Sequence, residues 1–282
     1  MKNLFITGLI TTAMGLYSLS AQALTLPEEA RVPGGIALVP LTGLSAAKQP
    51  AGWYKGNRVM ILSTKNTPLA DKAHWVAVAG IPLKANVKKQ QHLRANATSY
   101  YFDIDDKEYR AQYLTVKNKR HVNPDPKDIA RWKREKIEMV AAFKHWSNPT
   151  QPVTQFVLPA KGPFSSPFGL KRFFNKQPRN PHSGLDIAAP KGAPITAPAP
   201  GTVVAVNNYF FNGNTVILDH GNGLTSLYCH MSQTDVKLGD TLKLGDSIGK
   251  VGKTGRVTGP HLHWTVSLNN TRVDPLLFVE GK

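Results

Sequence analysis

Residues 259–266 read GPHLHWTV, two histidines one residue apart in an otherwise apolar stretch that ends on β-branched residues. In an extended strand, positions i and i+2 face the same side. The pair is therefore either two polar rings on one sheet face or a metal ligand beside a second reactive imidazole. The surrounding text is strand and turn. GTVVAVNNYF (201–210) and NTVILDH (214–220) read as strands around an Asn212-Gly213 hairpin signal. KLGDTL (237–242) is followed at once by KLGDSI (243–248), which reads as two successive Gly-Asp turns. This half is expected to be antiparallel β.

Ligands that join the histidine pair are sought in the same half. PHSGLD (181–186) supplies His182 and Asp186, with Gly184 between them leaving room on the face they share. Two imidazoles and one carboxylate form an ordinary zinc shell with an open fourth position. An open position suits hydrolysis, because the ion acidifies water and polarises a carbonyl. Spacing alone leaves open which of His261 and His263 is the third ligand.

The first half reads differently. GGIALVPL (34–41), NRVMILS (57–63), HWVAVAGIPL (74–83), ATSYYFDI (97–104) and EYRAQYLTV (108–116) are strand-like runs between turns. They predict a small β-sandwich or barrel. His74 and His92 stand alone there and are read as structural or solvated. Asp125-Pro126 then signals a helix start. Ile129, Trp132, Met139, Val140, Phe143 and Trp146 fall on one broad helical face, expected to pack against one of the two cores.

Residues 1–23 have a basic start at Lys2, an apolar middle and a small-x-small ending at Ala21-Gln22-Ala23, the form of a secretory signal peptide cut after Ala23. No later segment is long enough to span a bilayer, so the mature chain is expected to be exported, periplasmic or secreted. The formal charge of +17 suits an acidic wall polymer. Nucleic acid is set aside, because no fold signature or aromatic-and-basic platform accompanies the charge. The single cysteine, Cys229, has no internal disulfide partner and is read as a buried apolar residue.

Five segments occur in order: SSPFGLKRFF (165–174), RNPHSGLDIAAPKGAPITAPAPGTVV (179–204), NGNTVILDHGNGLTSLYCHMS (212–232), VKLGDTLKLGDSIGKVGKTGRVTGPHLHW (236–264) and RVDPL (272–276). Together they closely resemble the M23 peptidases, the LytM or lysostaphin-type zinc endopeptidases of bacterial cell walls. The resemblance implies one zinc ion held by His182, Asp186 and His263, with His230 and His261 as catalytic histidines. It implies peptide stems of peptidoglycan as substrate, cut at D-alanyl–diaminopimelate or glycine bridges. The N-terminal β region and helix resemble, less specifically, the accessory region of Gram-negative exported members, which favours the former bond.

The implied organisation is a signal peptide (1–23), an accessory β domain (24–120), a connecting helix and linker (121–155) and a peptidase domain (156–282). The accessory region and helix are expected to cover or gate the cleft until the wall or a regulatory protein partner moves them. Thr265 stands where many members carry glutamate, and Lys176 where glycine is frequent; His220 matches a family position but is read as structural. The competing readings are a non-catalytic wall-binding or amidase-activating module, which loses metal ligands, and a carrier domain, which leaves His182 and Asp186 unexplained.

Overall fold

The computed structural model describes residues 24–281. The expected signal peptide lies outside the described residues. Among those described, no helix is long and apolar enough to cross a membrane.

The molecule is mainly β. In the first half, Ile36–Pro40, Trp75–Gly80 and Met60–Ser63 form a three-stranded antiparallel sheet with Trp75–Gly80 at its centre. That strand reads WVAVAG, with no polar alternation, because both of its faces are covered. Ala77 and Ala79, with Ala37, Val39 and Ile61, pack toward a four-stranded sheet that contributes Tyr54, Leu93 and Phe102. This is the expected sandwich.

The opposite face of the same sheet points elsewhere. Val76, Val78, Ile36, Met60 and Leu62 join the core of the second half, together with Trp264, Leu268 and Val273. The contact is also polar. The buried Asn269 side chain accepts from the Gly80 N–H at 2.7 Å and donates back to the Gly80 carbonyl at 3.3 Å. A Cβ at Gly80 would lie 2.9 Å from Val273 and 3.0 Å from the Leu268 carbonyl, so glycine alone permits this approach.

The second half is built on an eight-stranded antiparallel sheet. Its path runs Thr241–Leu242, Gly201–Tyr209, Gly213–Asp219, Leu224–Met231, Leu262–Leu268, Leu185–Ile187, Phe164–Ser166, and Thr271–Val273 pairs beside it with Leu262–Leu268. A small sheet of Pro194–Thr196, Ser247–Lys250 and Gln233–Thr234 helps close the core through Ile195 and Ile248. The near-repeat at 237–248 is two copies of one turn: Asp240 accepts from the Lys237 N–H at 2.9 Å, and Asp246 from the Lys243 N–H at 2.7 Å.

Two details differ from the sequence expectation. The hairpin near Asn212-Gly213 turns over Phe210, Phe211 and Asn212, with Tyr209 paired to Gly213. Gly213 takes the left-handed conformation, φ +65°, that ends a three-residue loop. One pair of strands is also parallel, Ala111–Leu114 beside Lys171–Phe174, and it ties the end of the first half to the second; an isolated bridge between Phe156 and Val279 is parallel as well.

The helix Pro126–Phe143 starts where the sequence places it, with the Asp125 carboxylate accepting from the Asp128 N–H at 2.8 Å. Its apolar packing is deep only at the C-terminal end, although Asp128 in the first turn is also buried. Ala142 and Phe143 lie against Ala205, Ile217, Leu227 and Cys229, whereas Ile129 is 37% exposed. The first turns instead grip the hairpin tip: Arg131 donates to the Asn208 carbonyl at 2.7 Å and Glu135 accepts from the Phe210 N–H at 2.8 Å.

Candidate metal centre and its cleft

Asp186 and His263 are direct cross-strand partners, so their side chains leave the sheet on one face. His182 lies just before the strand Leu185–Ile187, not within it. The chain between them crosses so close to the neighbouring strand that a Cβ at Gly184 would sit 2.5 Å from the Trp264 carbonyl and 2.8 Å from the His263 ring. The room that Gly184 leaves is thus filled by the third member of the set.

The three groups converge. His182 Nε2 lies 2.9 Å from Asp186 Oδ1 and 3.0 Å from His263 Nδ1, and His263 Nδ1 lies 2.6 Å from Asp186 Oδ1. The far sides of the rings fix what faces inward. His182 Nδ1 is 2.8 Å from the Pro167 carbonyl, a pure acceptor, so Nδ1 carries the proton and Nε2 presents a lone pair. His263 Nε2 is 3.0 Å from the Thr265 hydroxyl, which leaves Nδ1 to face inward. Lone pairs and a carboxylate directed at one point fit a divalent cation. Tetrahedral bonds of about 2.0–2.1 Å place ligand atoms about 3.3 Å apart, so the trio would open by roughly 0.3 to 0.8 Å around an ion.

The electrostatics agree. Burial alone raises the Asp186 carboxyl, but hydrogen bonds and charge from His182 and His263 hold it well below the usual carboxylate range. Burial pushes His263 down to about 4, so it stays neutral and able to ligate at neutral pH. The other oxygen of Asp186, Oδ2, accepts from Arg172 Nη2 at 2.7 Å. Arg172 is held in turn by Gln112 Oε1 at 3.2 Å, and Gln112 donates to Ser166 Oγ at 2.6 Å. A residue of the first half thus supports the carboxylate through one intermediary.

His230 and His261 border the trio, their ring centroids 4.9 Å apart, and His230 stands 6.0 Å from His263. His230 is there because of a bulge. Between Tyr228 and Met231 the pairing with Gly213–Asp219 slips, and His230 adopts φ +63°. Strand alternation puts Cys229 and His230 on opposite faces, but Cys229 pairs with His263 and shares its face. The left-handed residue turns the His230 ring back to that same side. Its Nδ1 lies 2.8 Å from the Thr254 carbonyl and therefore donates, leaving Nε2 free. Burial, then His261 and His263, push it well below the ordinary histidine range, so it is neutral. His261 Nδ1 similarly meets the Gly259 carbonyl at 2.9 Å, and its Nε2 lies 3.9 Å from Asp186 Oδ1.

The remaining candidates fall outside this cluster. His74 and His92 are exposed. Cys229 is buried, with its thiol pushed up to about 12 by burial, and it accepts from Asn212 Nδ2 at 3.0 Å. His220 lies in the core between the Pro200 carbonyl and Ser226 Oγ, each at 2.7 Å. Lys176 follows Asn175 in a two-residue turn at φ +66°, a conformation that explains why glycine is frequent there. Arg172 and Thr254 are the site residues that sequence reasoning missed. Nothing in KRFF separates the inward-facing Arg172 from Lys171, and Thr254 acts through its carbonyl, on which the side chain gives no signal.

The cleft above the trio has a volume of about 370 Å³ and is lined by Trp132, Arg172, Phe174, Arg179, Phe211 and Arg256, among others. Trp132 brings the helix to this lining, its ring 6.3 Å from Phe211. The segment expected to cover or gate the cleft thus contributes to its wall.

Known proteins match both halves. The model of the peptidase family M23 matches residues 180–275, and that of the peptidase family M23 N-terminal domain matches residues 29–107. The DD-carboxypeptidase/endopeptidase Mpg of Neisseria meningitidis is 39% identical over 40% of this chain and 26% of its own length. The peptidoglycan DD-endopeptidase ShyA of Vibrio cholerae is 41% identical over 34% of this chain and 22% of its own length. The chain therefore spans about a quarter of the length of these curated relatives. A crystal structure of an M23-type protein from Pseudomonas aeruginosa covers 89% of this chain and 95% of its own, at 39% identity and a TM-score of 0.71. A likeness of that extent, carried through both halves, establishes that the chain belongs to peptidase family M23.

Proposed function

We propose that the protein is a zinc-dependent endopeptidase that hydrolyses peptide cross-links of peptidoglycan, at D-alanyl–diaminopimelate bridges, outside the cytoplasmic membrane. The observation that carries this reading is the convergence of His182 Nε2, Asp186 Oδ1 and His263 Nδ1 in an open cleft that His230 also lines, with the His261 ring 4.9 Å from that of His230. The names of the relatives support it: Mpg is a DD-carboxypeptidase/endopeptidase and ShyA a peptidoglycan DD-endopeptidase. The non-catalytic alternative requires a lost ligand, and all three are present.

When bound, zinc supplies Lewis-acid polarisation of the scissile carbonyl and makes water a stronger acid. His182, Asp186 and His263 would hold the ion, and Arg172 orients the Asp186 carboxylate through its other oxygen, Oδ2. His230, neutral and with Nε2 free, accepts the proton of the attacking water. His230 then passes that proton to the leaving amine, while His261, whose Nδ1 donates to the Gly259 carbonyl and leaves Nε2 an acceptor, orients the attacking water from across the site.

Digestion of defined peptidoglycan, followed by mass analysis, tests this. Cross-linked dimers are expected to give monomers, a chelator to stop the reaction and added zinc to restore it. Chelator-resistant cleavage contradicts the zinc assignment, and products cut at another bond contradict the substrate assignment.

A further inference from the structure

The cleft wall carries more positive charge than its own residues neutralise. Of its three arginines, Arg172 is matched by Asp186 at 2.7 Å. Arg179 turns Nη2 to the Val122 carbonyl at 2.8 Å and to Gln177 Oε1 at 2.6 Å, both uncharged. Arg256 is packed against two rings, its guanidinium carbon 4.3 Å from the centre of Phe211 and 4.8 Å from that of Phe174. Its one side-chain hydrogen bond is a long contact, 3.4 Å, from Nη1 to the His121 carbonyl. Among the described residues neither Arg179 nor Arg256 has an acidic partner, and the charges that act on Arg256 are those of Arg172 and Arg179, both repulsive.

This is an expensive arrangement unless an anion completes it. Burial lowers Arg256 to about 10, which still leaves it protonated at neutral pH. A partly desolvated cation with unused donors loses hydration that the protein does not replace. Contact with both rings restricts the guanidinium, and a restrained planar fork is the geometry that binds a carboxylate through two parallel hydrogen bonds. Arg256 and Arg179 line the same cavity as His230 and His263, so an anion held there lies beside the bond to be cut.

We propose that Arg256, with Arg179 beside it, forms a subsite for a free carboxylate carried by the substrate next to the scissile amide. The inference rests on the peptidase reading above and narrows its substrate class. In a diaminopimelate cross-link the scissile nitrogen sits on a carbon that bears a free carboxylate. Inside a glycine bridge the corresponding group is a neutral amide. The subsite therefore selects carboxylate-bearing cross-links and disfavours glycine bridges and amidated diaminopimelate.

The test uses two synthetic cross-linked stem peptides, identical except that one has a carboxylate and the other a primary carboxamide on the carbon bearing the scissile nitrogen. The zinc-loaded full chain is expected to favour the carboxylate in kcat/KM by roughly tenfold to a hundredfold, the worth of a charge-assisted pair. Arg256→Gln is expected to bring the ratio to within about threefold, and Arg256→Lys, which keeps charge but loses the planar fork, to an intermediate value. The ratio is taken within one preparation, so a misfolded fraction lowers both terms and cancels. A wild-type ratio near one, or a ratio unchanged in Arg256→Gln, overturns the subsite. Should the wild type cleave neither peptide, the peptidase reading falls, and calorimetric binding of the two amine products decides the subsite. Carboxylate preference that Arg256→Gln abolishes upholds it; equal binding of the two products overturns it.

Discussion

His220 and His230 stand at opposite ends of the strand Leu224–Met231, both buried, yet they do opposite things. His220 is satisfied on both ring nitrogens, by the Pro200 carbonyl and by Ser226 Oγ, and Ser226 passes the chain on to the Tyr228 hydroxyl at 2.7 Å. His230 is satisfied on one nitrogen only and keeps the other for the cleft. The backbone marks the same division: His220 pins a turn by ordinary hydrogen bonding, whereas His230 requires a bulge and a left-handed residue. A complete hydrogen-bond set is a stability device; an incomplete one, held in place by strain, is a chemical device.

The comparison breaks most visibly at the ligands. His263→Ala is expected to lower cleavage of cross-linked peptides by at least about a thousandfold, since no step proceeds without the ion. Bound metal is expected to fall from one ion per chain to none, read by elemental analysis. His230→Ala sharpens the distinction between holding the ion and moving protons. It is expected to retain the metal and lose about a hundredfold to ten-thousandfold in kcat. Metal loss in that variant would place His230 among the ligands.

Arg172→Gln comes next. Removing the charge behind Asp186 is expected to weaken zinc binding about tenfold to a hundredfold, measured by competition with a chelator, with a smaller loss of activity at saturating zinc. The smallest effect on rate belongs to His220→Gln, expected to stay within about threefold of wild type at pH 7, as befits a residue with no free nitrogen. Its signature is stability against pH. Burial lowers His220 from 6.5 to about 4, so on acidification the unfolded chain takes up the proton first. Stability is therefore lost as pH falls from about 6.5 toward about 4, on the order of 3 kcal/mol from this one group. Chemical denaturation of the glutamine variant is expected to show a shallower loss over that window.

Much of this was legible in the residues themselves. GPHLHWTV and PHSGLD supplied the candidate ligands, and Asp125-Pro126 fixed the start of the helix, because caps and strand spacing are local rules. Three features were not. The shared core of Trp75–Gly80 depends on what covers each face, and an apolar run does not name its neighbour. The position of His230 follows from a slip in register that strand alternation misreads. The support of Asp186 by Arg172 and Gln112 joins residues far apart in the chain through a parallel strand pair. The shared core also bears on regulation: removing residues before Gln155 would expose Leu268 and Val273 along with the cleft wall.

The central claim is that His182, Asp186 and His263 together hold one zinc ion. Diffraction from crystals of the purified protein on both sides of the zinc absorption edge tests it most directly. A single anomalous peak is expected at about 2.0–2.1 Å from His182 Nε2, Asp186 Oδ1 and His263 Nδ1. A peak bound instead through His230 or His261, or zinc-supplemented crystals with no peak at this trio, would contradict it.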